Sequence, residues 1–271
     1  MPGSWVIVIP VKDAAAGKTR LSASLDDRSR AALARAMALD TIAAAAACLL
    51  VGAVVVVTPD AVVAGDAGQA ARAAPHDRAA LARGGLVSDA ARADRPSGPL
   101  VRVVPEPPHA GARSGLDAAA AAGVAAAHAL APAASVGVLL GDLPALRPDD
   151  LAEALTLAES LILAEGRPRA MVADSSGTGT TLLTVAAGSP FDSRFGAGSA
   201  AAHAALGYLP LDVDAASTLR RDVDLPGDLD MLGRLDPGPR TARLLDRLLP
   251  DKSPERHMPE DGSERTTAAR S

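Results

Sequence analysis

Five residues near the start of the chain, Trp5 to Ile9, form an unbroken apolar run rich in β-favouring side chains, and Pro10 ends it. A strand that is apolar at every position is buried on both faces, which fits the centre of a mostly parallel sheet and little else. The chain leaves this run through a small-residue loop carrying Lys12, Lys18 and Arg20. A buried strand that delivers a cationic loop to its C-terminal end is how α/β proteins hold phosphates.

The rest of the chain repeats the alternation. Asp26 or Asp27 caps a predicted helix to about Leu50. A turn at Val51-Gly52 and a second buried strand, Ala53 to Val57, follow. Ile42 to Val57 is uncharged throughout, but its change from Ala and Leu to Val favours a helix end and a strand over a membrane span. Residues 60–99, rich in Ala, Arg, Asp and Gly, read as one helix plus a mobile insertion. A short strand at Val101 to Val104, a loop to Gly115, a helix from Leu116 to Ala131 and an apolar segment ending in Asp142 come next. Pro148, with Asp149 and Asp150 in the first turn, starts a helix to about Ala164. Two strands, Ala170 to Ala173 and Thr180 to Val185, flank the DSSGTG loop. A helix from Ser199 to Leu206, a strand from Tyr208 to Val213, a short helix after Pro226 and a last one from Arg240 to Leu249 complete the core. This order predicts a three-layer α/β/α sandwich with a mostly parallel central sheet, a single domain over 1–249 and a disordered tail over 250–271. Ligand sites are expected at the strands' C-terminal ends, where Lys18, Arg113, Asp142 and Asp224 would gather.

Composition narrows the function. Only Trp5, Phe191, Phe195 and Tyr208 are aromatic, so the core is Ala, Val and Leu. The net charge of -5 and the lack of a basic stripe with interleaved aromatics argue against a nucleic-acid partner. Cys48, the single cysteine, reads as a buried inert thiol, and the five histidines show no metal-ligand spacing. The N-terminus lacks the basic segment of a signal peptide, so a soluble, cytoplasmic protein with no membrane attachment is expected.

Several segments carry chemistry, each with a plainer alternative. Gly17-Lys18-Thr19 is the second half of a phosphate-binding P-loop, which keeps a P-loop ATPase or kinase as an alternative, but Lys12 stands where that motif needs its first glycine. Gly196-Ala197-Gly198-Ser199 suits an anion pocket, or a glycine turn with Ser199 as cap. Asp142 ends an apolar strand; Asp222 and Asp224, two apart in an extended segment, point to one side of it. The three could offer oxygen ligands to Mg²⁺ or serve as surface and capping acids, with Arg221 nearby for an ion pair. The threonines of GTGTT could bond a ligand's phosphate or simply decorate a turn, and Asp117 could cap its helix.

Taken together, PVK…GKTRL, GLD-A-A, GDLPAL, D-x-x-GTGTT, FGAGS and R-D-V-D-L-P-x-D-L stand in the order seen in the CofC/FbiD guanylyltransferases, which the span from Trp5 to Leu232 resembles. These belong to the MobA-like nucleotidyltransferases of the glycosyltransferase-A type. The resemblance implies transfer of GMP from GTP to a phosphorylated three-carbon acid in coenzyme F-420 biosynthesis, with release of diphosphate. Phosphoenolpyruvate, used by actinobacterial members, is the first choice of acceptor; 2-phospho-L-lactate and 3-phosphoglycerate are alternatives. It further implies Mg²⁺, or Mn²⁺ in its place, on Asp142, Asp222 and Asp224, a triphosphate clamp of Lys12, Lys18 and Arg20, and an acceptor-phosphate pocket of Gly196 and Ser199 with Thr181 or Thr180. Leu116 and Asp117 would seat the guanine, although Asp117 replaces the family's usual asparagine and cannot donate to a carbonyl. The product would pass to the next transferase of the pathway. An already ionised phosphate oxygen as nucleophile needs no His or Cys base, which suits this composition.

Overall fold

The structure is a computed structural model that describes residues 5–14, 21–22, 25–73, 99–108 and 115–248. The predicted tail, most of the predicted insertion, Lys18, Arg20 and Arg113 lie outside the described residues.

Strand β1 (Trp5–Pro10) is buried at all six positions and sits inside the sheet. Its odd residues Trp5, Ile7 and Ile9 face one helical layer, and Val6 and Val8 face the other. Each such side chain stabilises the fold by about 1.5–3 kcal/mol through burial, less what the unfolded chain already hides. Parallel neighbours are β2 (Val51–Val57) on one side and β4 (Val136–Leu139) on the other. With β3 (Leu100–Val104), β5 (Arg169–Ala173), β6 (Thr180–Val185) and β7 (Leu209–Pro210), the sheet has seven strands in the order β3-β2-β1-β4-β6-β5-β7. Only β6 runs against the others, because it is the return limb of a hairpin with β5. The mostly parallel sheet expected from the sequence is therefore present.

Helices α1 (Asp27–Ala47), α2 (Ala61–Arg72) and α4 (Pro148–Glu165) cover the face of Ile7 and Ile9. Helix α3 (Gly115–Leu130) and the segment from Phe195 to Tyr208, which includes α5 (Ser199–Ala205), cover the face of Val8. These are the two outer layers of the predicted sandwich. Helix α3 lies so close that a Cβ at Gly123 would stand 2.2 Å from Val8 Cγ1, so only glycine allows this approach. A third cluster joins α1 to α6 (Pro226–Leu232) and α7 (Pro239–Leu248) through Leu33, Met37, Val223, Leu229 and Leu244.

Three boundaries differ from the sequence reading by more than a residue, the first being β4, which ends at Leu139 and leaves Asp142 in the turn beyond it. Helix α1 ends at Ala47 and β2 begins at Val51, so the turn falls at Leu49-Leu50 and Gly52 is inside the strand. The reason is pairing: the Trp5 N–H donates to Leu50 O at 2.8 Å and starts the ladder early. The strand expected over 208–213 shrinks to Leu209–Pro210, since Pro210 has no N–H and the segment lies at the sheet edge. Among the described residues no helix is long and apolar enough to cross a membrane.

Candidate active site

A cleft of about 640 Å³ opens at the C-terminal ends of β1 and β4. Of the residues singled out in the sequence, Lys12, Leu116, Asp142, Thr180, Gly196, Ser199, Asp222 and Asp224 line it. They come from six separate stretches, which the sheet brings to one place.

Lys12 stands two residues past the end of β1 and is exposed. The segment behind it is tied down at two points. The Val11 N–H donates to Val57 O at 2.8 Å, and the Ala14 N–H donates to Asp60 Oδ2 at 3.4 Å. Asp60 also caps α2 through Val62 N and Val63 N and accepts from Arg35 Nε at 2.9 Å. Burial works against its charge, but the bonds from Val63 and Arg35 prevail and hold its pKa below the usual carboxylate value.

The acids are assembled by backbone bonds. Asp142 stands in the turn after β4, whose Leu143 N–H donates to the buried Thr41 hydroxyl of α1 at 3.1 Å. The Val223 N–H donates to Asp142 O at 3.1 Å and draws the 222–224 segment alongside. Val223 is buried in the third cluster, so Asp222 and Asp224 turn the other way, to the cleft. Asp228 fixes the end of this segment, accepting from Asp224 N at 2.8 Å and Leu225 N at 2.6 Å. Asp174, at the end of β5, completes the acidic wall. Burial, then repulsion from Asp142, Asp224 and Asp174, pushes the Asp222 carboxyl up to about 7. Among the described residues, no three His, Cys, Asp or Glu side chains are gathered tightly enough to hold an ion by themselves. The three acids expected to bind metal thus share one cleft wall without forming a complete cage.

The opposite chemistry comes from the loop before α5. Gly198 has φ +71°, a conformation side-chain-bearing residues avoid, and it turns the chain so that Ser199 enters α5 facing inward. The Ser199 hydroxyl bonds the Thr180 hydroxyl at 3.3 Å, and both line the cleft. The Ala200 N–H donates to Thr178 O at 3.1 Å and stitches this loop to the start of β6.

Two expected ligand residues lie elsewhere. Thr181 is fully buried and turns from the cleft, its hydroxyl donating to Val172 O at 3.4 Å; strand alternation assigns the cleft to Thr180. Asp117 is also buried and does not line the cleft. Its Oδ1 accepts from Ser193 Oγ at 2.7 Å and from Phe195 N at 2.9 Å, so it anchors the FGAGS loop rather than facing a base. Leu116, its neighbour, does reach the cleft.

Two residues without a role in the sequence reading belong here. Asp174 directly follows β5 and lines the same cleft as Asp142, which stands in the turn after β4. His203 stands four residues after Ser199, on the same face of α5, and bonds Thr180 Oγ1 through Nδ1 at 2.9 Å.

Comparison with known proteins agrees with this layout. A solved structure from Desulfovibrio desulfuricans G20, described as a nucleotide-diphospho-sugar transferase, matches with a TM-score of 0.56 over 92% of this chain and 98% of that one. At 16% identity it speaks for the fold alone. The profile of the family described as "Guanylyl transferase CofC like" matches residues 5–72. Phosphoenolpyruvate guanylyltransferase of Sanguibacter keddieii is 46% identical, covering 90% of this chain and 85% of that protein. Its namesakes from Streptomyces coelicolor and Thermomonospora curvata are 42% and 41% identical, each over 90% of this chain and over 97% and 90% of their own lengths. With such identity along nine-tenths of its length, and a sheet whose strand ends carry the family's motifs into one cleft, this chain belongs to the CofC-like guanylyltransferase family.

Proposed function

We propose that the protein transfers the GMP moiety of GTP to phosphoenolpyruvate, giving enolpyruvoyl-2-diphospho-5'-guanosine and diphosphate, as a step in coenzyme F-420 biosynthesis. The observation that carries the reading is the meeting of an acidic wall and a hydroxyl pocket in one cleft. The relatives named for this reaction support it over most of both chains. In the reaction a phosphate oxygen of the acceptor attacks the α-phosphorus of GTP. A new P–O bond forms, the bond to the β-phosphate oxygen breaks, and diphosphate leaves with the electron pair. No proton need be removed from the nucleophile, so the protein's task is alignment and charge neutralisation.

Thr180, Ser199 and the Gly196 backbone would hold the acceptor's phosphate. Lys12, with Lys18 and Arg20 further along the sequence, would hold the triphosphate, and Leu116 would border the base. The acids fit a hard divalent cation. Asp13, Asp142, Asp174, Asp222 and Asp224 line the cleft against one basic side chain among the described residues, Lys12. Two anionic substrates enter such a cleft only with cations. Asp142, Asp222 and Asp224 would contribute oxygen ligands to Mg²⁺, or to Mn²⁺, and substrate phosphates and water would supply the rest of an all-oxygen shell. The bound ion would neutralise charge at the α-phosphorus and on departing diphosphate.

The test is mass spectrometry of products from GTP and Mg²⁺ with phosphoenolpyruvate, 2-phospho-L-lactate or 3-phosphoglycerate, coupled to the next transferase of the pathway to trap the product. The expected result is diphosphate and a guanylylated acid with phosphoenolpyruvate above the others. Diphosphate formed without any acid, or a clear preference for another acid, would overturn the assignment.

A further inference from the structure

His203 is fully buried at the back of the acceptor pocket. Its ring stands edge-on to Phe195 at 4.9 Å and to Tyr208 at 5.7 Å between centroids. Both ring nitrogens are bonded. The backbone N–H of Arg194 donates to Nε2 at 2.9 Å, and Nδ1 meets Thr180 Oγ1 at 2.9 Å. Thr180 Oγ1 in turn meets Ser199 Oγ at 3.3 Å.

We propose that His203 is a positioning residue: by keeping its proton on Nδ1 it leaves the Thr180–Ser199 hydroxyl pair with one O–H to donate to the phosphate of the bound acceptor.

The argument is a count of protons. A nitrogen that accepts from a backbone N–H carries no proton, so Nε2 is bare and the neutral ring holds its hydrogen on Nδ1. Nδ1 therefore donates to Thr180 Oγ1. The two hydroxyls own two protons, and the bond between them uses one. The other is left for the cleft, which both residues line. With the opposite tautomer, Thr180 would donate to Nδ1, Ser199 would donate to Thr180, and no hydroxyl proton would remain for an anion. Burial also opposes the charged imidazolium and lowers the His203 pKa to about 4, against smaller opposing effects of Asp117 and Asp192, so the ring stays neutral through the physiological range and the Arg194 bond alone selects the tautomer. The backbone that fixes the tautomer is itself the FGAGS approach: Arg194 precedes Phe195, whose N–H is held by Asp117. A single loop thus places the glycines and sets the direction of the hydroxyl donors.

The inference rests on the acceptor's phosphate lying in this pocket, and the experiment separates the two. Steady-state kinetics would be run on wild type, His203→Gln, His203→Asn, Thr180→Val and the double variant His203→Gln/Thr180→Val, with thermal melts to check folding. The Gln amide reaches the Nε2 position and keeps the Arg194 bond but loses the donor to Thr180. The Asn amide sits near the Nδ1 position and keeps that donor. If wild type makes no diphosphate with any of the three acids, the functional reading itself fails. If it does, His203→Gln is expected to raise KM for the acceptor about tenfold with KM for GTP changed less than about twofold, the size of one hydrogen bond to a charged group. His203→Asn should restore most of the loss, and the double variant should be no worse than Thr180→Val alone. An unchanged acceptor KM in His203→Gln, equal rises for both substrates, or a further full loss in the double variant would overturn the proposal. Should His203→Gln not fold, a folded His203→Asn with a tenfold higher acceptor KM would overturn it equally, and one close to wild type would uphold it.

Discussion

The carboxylate of Asp117 and the hydroxyl of Ser193, 76 positions apart in the chain, meet at 2.7 Å inside the protein. The same oxygen also accepts from Phe195 N at 2.9 Å. Asp117 therefore clamps the loop that leads to Gly196 and Ser199 onto the N-terminal turn of α3. Removing it in Asp117→Ala leaves two buried donors unmet, a loss of about 2–3 kcal/mol. The expected outcome is a lower melting temperature and a higher KM for the phosphorylated acid. The preference for GTP over ATP, measured as a ratio of kcat/KM values, should not change. A collapse of that ratio with an intact acceptor KM would return position 117 to the base.

Asp40 makes a similar link far from the cleft. Buried in α1, it accepts from Arg240 N at 3.2 Å and Thr241 N at 2.7 Å, with Arg240 Nη1 at 3.7 Å. It thereby caps α7 with a side chain supplied by another helix, and Gly238 leaves room for it: a Cβ there would stand 2.5 Å from Asp40 Cγ. Loss of a cap and of a charge-assisted bond puts Asp40→Ala at about 2 kcal/mol, or a melting temperature lower by about 4–8 °C. Calorimetry checks this. A variant melting within a degree of wild type would mean that α7 docks through Leu244 and its apolar neighbours alone.

The strands were legible because burial on both faces writes an unbroken apolar run, as at Ile7, Val8 and Ile9. The pair Asp222 and Asp224 was legible for the opposite reason: apolar Val223 between two acids fixes which side faces inward. Strand β6 offers no such contrast. All six of its positions are buried, so nothing in its sequence says whether Thr180 or Thr181 meets the cleft. Asp117 had the position of a helix cap, and only the chain's return at Ser193 explains its burial. His203 was unreadable because its partners are a backbone N–H and a hydroxyl, which leave no spacing rule. Lys12 was legible from its place just past the buried run of β1, and it lines the cleft.

Asp142 is the acid most firmly set, between the turn held by Thr41 and the strand-like segment bonded to its own carbonyl. Asp142→Asn keeps the size and removes the charge. If this carboxylate holds Mg²⁺ against the triphosphate, turnover should drop at least about a hundredfold with little change in melting temperature. Titration with Mn²⁺ should recover part of the rate. Activity near that of wild type at ordinary Mg²⁺ would sink the metal assignment for this residue.

Asp222 gives the pH test. Its ordinary value is 3.8, and burial together with Asp142, Asp224 and Asp174 raises it in the fold to about 7. Between those limits the folded protein holds a proton that the unfolded chain has released, so stability falls as pH rises through the window and levels off above it. Asp222→Asn removes this titration. Without added metal, wild type should lose about 5–10 °C of melting temperature relative to Asp222→Asn between about pH 5 and pH 8. A divalent cation in the cleft favours the ionised form. Mg²⁺ should therefore restore wild type at the upper end of the range, do little at the lower end, and leave the variant almost unmoved. Parallel profiles for the two proteins, with and without Mg²⁺, would show that the four acids do not share one field.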